Sequence, residues 1–151
     1  MANELVLIVE DNPKNLKLVR DTLQVKGYQT IEAETGEEGV RLTQERQPAL
    51  ILMDIQLPGI NGVEALNQLR ADPVTRSTPV IAVTASVMTQ DRKRITDAGF
   101  NGFHSKPISI KELLATVREI LDRPSGQPYP ARLPPATTLN LILSPGSEMK
   151  G

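Results

Sequence analysis

Residues 49–59 read Ala-Leu-Ile-Leu-Met-Asp-Ile-Gln-Leu-Pro-Gly, an apolar run that stops at Asp54 and turns at Pro58-Gly59. Such a run suits a strand covered on both faces, as in a parallel sheet. A carboxylate at the mouth of a buried strand is costly unless something uses its charge. The pattern recurs: Glu10-Asp11 follow Leu5–Val9, and Thr84 follows Val80–Val83. Further on comes Lys106-Pro107. Three acids, a hydroxyl and an amine are thus expected together at strand ends.

Between these runs lie helical patterns, so the chain reads as repeated β-α units around a parallel sheet. Tyr28–Ala33 is more polar and suits an edge strand; Gly102–Ser105 is a fifth strand placed mainly by its position in the alternation. Asn12-Pro13 reads as a helix cap followed by proline at the first helical position, with Leu16, Val19 and Leu23 on one face. Thr35 with Glu38, and Ser109 with Glu112, match the spacing of a capping box. The last helix carries the stripe Ile110, Leu113, Leu114, Val117, Ile120 and Leu121. Thr89–Ala98 has few apolar anchors and holds Arg92, Lys93 and Arg94, so a fourth helix that is loosely held and partly a partner surface is expected there.

The 151 residues fit one domain, 1–122, with length to spare. Residues 123–151 hold six of the twelve prolines and lose all periodicity, so a tail without a second globular domain is expected. Within it Thr138-Leu139-Asn140-Leu141-Ile142-Leu143 could add a strand or fill a groove. The net charge of −1 advertises neither nucleic acid nor membrane. With no cysteine and a single histidine, His104, thiol chemistry, sulfur-ligated zinc and multi-histidine metal sites are excluded. His104 itself reads as an incidental loop residue. The first apolar run is too short for a signal peptide and no segment approaches a membrane span, so a cytoplasmic protein is expected.

In an open parallel sheet ligands bind beyond the carboxyl ends of the strands. If the first and third strands are neighbours there, Glu10, Asp11 and Asp54 converge. Carboxylate oxygens are what Mg²⁺ prefers, with Mn²⁺ as an alternative cation. Asp54 then reads as a phosphoacceptor, an otherwise weak nucleophile made effective by the cation. Lys106 and Thr84 can bind phosphoryl oxygens, and a Thr84 that moves to meet them would report the event.

Leu-Ile-Val-Glu-Asp-Asn at 7–12, Leu-Met-Asp-Ile-Gln-Leu-Pro-Gly at 52–59, Val-Thr-Ala at 83–85 and Ser-Lys-Pro at 105–107 strongly resemble the receiver domain of two-component response regulators, the CheY-like family. The resemblance spans residues 4–122, and its wording is most similar to single-domain regulators of the DivK type. It implies an α/β fold with a five-stranded parallel sheet in the order 2-1-3-4-5, flanked by five helices. It implies that Asp54 takes phosphate from a phosphohistidine on a sensor histidine kinase or phosphotransfer protein. Mg²⁺ would be held by Glu10, Asp11, Asp54 and the backbone carbonyl of Gln56. The Lys106-Pro107 bond would be cis, and Phe103, three residues before the lysine, would join Thr84 as a switch. The output would be a protein partner at the fourth helix, fifth strand and fifth helix.

Three rival classes fit less well. A phosphohydrolase using an aspartyl-phosphate would have a second acid where Gln56 stands. A flavodoxin-like electron carrier would set its flavin phosphate against Glu10-Asp11. A scaffold that is never phosphorylated would have no need of all five site residues. The expected protein is therefore a signalling phosphoacceptor that catalyses only its own phosphorylation and dephosphorylation.

Overall fold

The computed structural model describes residues 4–85, 93, 95 and 97–122. The order is β1 (Leu5–Val9), α1 (Pro13–Val25), β2 (Gln29–Ala33), α2 (Gly36–Arg46), β3 (Leu50–Asp54), α3 (Gly62–Ala71), β4 (Val80–Thr84), β5 (Gly102–Ser105) and α4 (Ile110–Leu121). Lys93, Ile95, Asp97 and Ala98 are helical too; the rest of the expected fourth helix, Arg92 and Arg94 included, lies outside the described residues, as does the tail 123–151. The final helix is thus the fifth of the sequence expectation.

All strand pairs are parallel, in the order β2-β1-β3-β4-β5. Strands β3 and β4 are buried throughout and β1 nearly so, whereas the edge strands β2 and β5 are half-buried. This is the burial that continuous apolar runs at the centre and mixed ones at the edges require. Alternation along the strands splits the core in two. Leu7, Val9, Ile51, Met53, Val80 and Ala82 face α2 and α3, joined by Ile95 and Phe100. Val6, Ile8, Leu50, Leu52 and Ile81 face α1 and α4.

Local chemistry sets the helix starts. Asn12 Oδ1 accepts from the amides of Lys14 and Asn15, and Leu16, Val19 and Leu23 are buried as the sequence predicts. The two expected capping boxes form their first half: Thr35 Oγ1 accepts from Glu38 N at 3.1 Å and Ser109 Oγ from Glu112 N at 3.4 Å. Glu38 turns to Glu34 N instead, at 3.3 Å. A complete box stands where none was expected, at α3, between Asn61 and Glu64 at 2.9 and 2.8 Å.

One expectation is corrected. His104 is no loop residue: it lies within β5, paired in register with Val83, half-buried against α4. The β-period of Gly102–Ser105 points it at that helix.

Candidate phosphoacceptor site

The β2-β1-β3-β4 order places the ends of β1, β3 and β4 side by side, so Glu10 and Asp54 meet and Thr84 ends the strand next to Asp54. Glu10, Asp11 and Asp54 each offer a carboxylate oxygen within 4.8 Å of the others. Glu10 and Asp54 are buried and Asp11 is exposed, so the cluster opens to solvent on one side. Beneath it Ile8, Val19, Leu52, Val83, Ile108 and Leu113 line an apolar pocket. A low-dielectric floor strengthens every charge interaction above it.

Lys106 reaches into this cluster from the end of β5. Its Nζ lies 2.9 Å from Asp54 Oδ2, and 3.1 and 3.3 Å from the two oxygens of Glu10. Its backbone N donates to Thr84 O at 2.8 Å, and the Lys106–Pro107 peptide is cis. Burial raises the pKa of Glu10, with the charge of Asp54 adding to it. Burial alone would lower that of Lys106, but its bonds to Asp54 and Glu10 outweigh this and raise it. One ammonium between two buried carboxylates leaves net negative charge facing Asp11.

Asp54 is oriented from both sides. Gln56 N donates to its Oδ1 at 3.0 Å while Lys106 holds Oδ2, and each oxygen keeps a further lone pair. Glu10 accepts from Asn12 N at 3.1 Å. Thr84 is fully buried at the end of β4, and Phe103 packs half-buried on the α2–α3 core layer.

Two supports escaped the sequence reading. Gly62 opens α3 directly over the strand end: a Cβ there would lie 2.7 Å from Asp54 O and 2.9 Å from Ile55 Cα. Asn61-Gly62 after Pro58-Gly59 was the available signal, a cap followed by a residue that permits close approach. Glu37, in the first turn of α2, accepts from Ile60 N at 3.3 Å and steadies the loop between β3 and α3. Nothing local marks Glu37, because its partner is 23 residues away.

The donor set fits a hard divalent cation: carboxylate oxygens only, partly buried, carrying more negative charge than Lys106 neutralises. Among the described residues no helix is long and apolar enough to cross a membrane.

Comparison with known proteins agrees with this geometry. Residues 6–118 match the model of the response regulator receiver domain. The polar-differentiation response regulator DivK of Brucella ovis is 46% identical over 116 residues, 77% of this chain and 94% of that protein. Among solved structures, the receiver domain of a sensor histidine kinase from Pseudomonas aeruginosa PAO1, with a magnesium ion coordinated in its active site cleft, has a TM-score of 0.75 at 31% identity. The match covers 80% of this chain and 99% of that one. A CheY-like receiver domain protein from Methanospirillum hungatei JF-1 has a TM-score of 0.73 at 28% identity, covering 80% and 94% of the two chains. The chain belongs to the response regulator receiver family, the phosphoacceptor signalling proteins of two-component systems.

Proposed function

We propose that Asp54 is the phosphoacceptor and that it takes its phosphoryl group from a phosphohistidine on a sensor histidine kinase or phosphotransfer protein. The observation that carries this reading is the hold on Asp54: a buried carboxylate gripped at Oδ2 by Lys106 and at Oδ1 by Gln56 N, beside two further acids. In the transfer an Asp54 oxygen forms a bond to phosphorus as the phosphorus–nitrogen bond of the donor breaks. The electron pair and a proton go to the departing imidazole.

Glu10, Asp11 and Asp54, with the Gln56 carbonyl, would hold Mg²⁺. When bound it would offset the crowded carboxylates and draw charge from the phosphoryl oxygens. Lys106, already in the site, exchanges one carboxylate contact for a phosphoryl oxygen, and Thr84 with Phe103 passes the change to the neighbouring elements. The magnesium-bearing receiver from Pseudomonas supports the choice of cation.

The output is binding of a downstream protein at β5 and α4 together with the fourth helix expected from the sequence, most of which lies outside the described residues. The chemistry is confined to uptake and loss of this one phosphoryl group. Residues 1–122 form the receiver, 123–151 a proline-rich tail, and the protein works in the cytoplasm.

Labelling with acetyl phosphate, read by intact mass, tests the reading. Wild type should gain one phosphoryl group with Mg²⁺ and none with chelator, and Asp54→Asn should gain none while keeping its fold. Labelling of Asp54→Asn would assign the acceptor elsewhere.

A further inference from the structure

Strand β5 is tied to α4 by a polar contact. His104 Nε2 lies 3.0 Å from Thr116 Oγ1, and that hydroxyl is 3.0 Å from Glu112 O, one helical turn back. With its proton given to the carbonyl, the hydroxyl meets the imidazole as an acceptor, so His104 donates from Nε2–H. Thr116 touches the strand a second time: a Cβ on Gly102 would lie 3.3 Å from its methyl carbon. One helical residue therefore rests on two alternate positions of β5, which share a face. The apolar residues of the helix, Leu113, Val117 and Ile120, pack instead with Val6, Ile8, Leu50, Leu52 and Ile81 of the inner strands.

The same strand leads directly into the site. Two residues beyond His104, Lys106 binds Asp54 and Glu10 through its ammonium and Thr84 O through its amide. Apolar contacts are non-directional and tolerate small sliding. A hydrogen bond weakens steeply as its angle opens, so it transmits a displacement that an apolar seam would absorb.

We infer that the His104–Thr116 hydrogen bond couples β5 to α4, so that a change at Lys106 on phosphorylation of Asp54 moves the helix together with the strand. The inference rests on the phosphoacceptor reading above and names the contact that carries its signal to the helix. His104 touches no reacting atom; it is a positioning residue that acts through Thr116.

Hydrogen exchange by mass spectrometry on the full chain, with Mg²⁺ and with or without acetyl phosphate, tests this. Phosphorylation should alter exchange in residues 110–121 of wild type and of Thr116→Ser, which keeps the hydroxyl. In Thr116→Val the response of the helix should fall roughly fivefold, the factor one neutral hydrogen bond supplies, while phosphoryl uptake by intact mass is unchanged. His104→Leu removes the donor from the strand side and should behave alike, which covers a failure of Thr116→Val to fold. A full helix response in either variant would overturn the coupling, as would a wild type whose helix never responds. Absence of phosphoryl uptake by wild type would instead remove the acceptor reading, and the coupling with it.

Discussion

The ammonium of Lys106 lies 2.9 Å from Asp54 Oδ2, joining the residue that follows β5 to the one that ends β3 across 52 positions of sequence. The two side chains are among the least exposed charged groups of the domain, at 18% and 3%. Lys106→Ala would leave the Glu10 and Asp54 carboxylates facing each other without their cation. We expect metal-free stability to fall by about 3 kcal/mol, at the low end for breaking a buried ion pair. Mg²⁺ should recover part of the loss, because it can offset the same carboxylates. Urea denaturation in chelator and in Mg²⁺ checks this; an unchanged midpoint in chelator would contradict it.

Gly62→Ala attacks the site through the backbone. The added carbon meets Asp54 O and Ile55 Cα, neither of which can yield without moving the Asp54 backbone. The expected cost is about 1–3 kcal/mol of stability, typical of overpacking. A slower rate of acetyl phosphate labelling should accompany it. Equal labelling rates at equal Mg²⁺ would show that the strand end tolerates the shift.

Arg70 holds the far side of the sheet. Its guanidinium donates to Thr78 O at 2.7 Å, Asn101 Oδ1 at 2.9 Å, Arg76 O at 3.1 Å and Gly99 O at 3.4 Å. These acceptors are all uncharged, and burial lowers its pKa. Arg70→Met should cost about 2–4 kcal/mol by leaving partly buried carbonyls unpaired. Arg70→Lys should recover only a fraction, since one ammonium cannot span the fork. Denaturation midpoints of the two variants decide the matter; equal midpoints for wild type and Arg70→Met would refute it.

His104 gives the domain a signature in its acid response. Burial holds its imidazole below the ordinary 6.5, with Glu112 offsetting part of the effect. Between the folded value and 6.5 the unfolded chain binds more protons, so stability rises with pH across that window and is lost on acidification. His104→Leu should flatten the segment. Unfolding free energies from about pH 7.5 down to 5.5 show it, the span in which histidine changes charge. Parallel curves for the two proteins would exclude a part for His104.

What the sequence shows, and what it hides, divides along one line. Leu50–Met53 and Val80–Val83 declare buried strands because an unbroken apolar run has few other uses. Asn12-Pro13 declares a helix start because its chemistry is local. Asp54, Glu10 and Lys106 are legible because each interrupts or follows such a run. Arg70, Glu37 and the His104–Thr116 pair are silent by the same logic: their partners are a carbonyl, an amide or a hydroxyl brought close only by the fold. His104 shows the limit best. Its neighbours mark a strand, but its partner lies 12 residues on, where no pattern names it. The capping box at Asn61 is hidden for a different reason, since Pro58-Gly59 just before it already accounts for the turn between β3 and α3.

Arg118 near the end of α4 adds one more consequence. It binds Glu4 Oε2 at 3.0 Å, Tyr28 Oη at 3.1 Å and Asp122 Oδ1 at 2.9 Å, which anchors Asp122 beside the beginnings of β1 and β2. Asp54 stands at the other end of the sheet, about one strand length or 17 Å away. Whatever is joined after Asp122 therefore starts from the opposite pole of the domain. The last turn of α4 is thus fastened at one pole of the sheet while Glu10, Asp54 and Lys106 gather at the other.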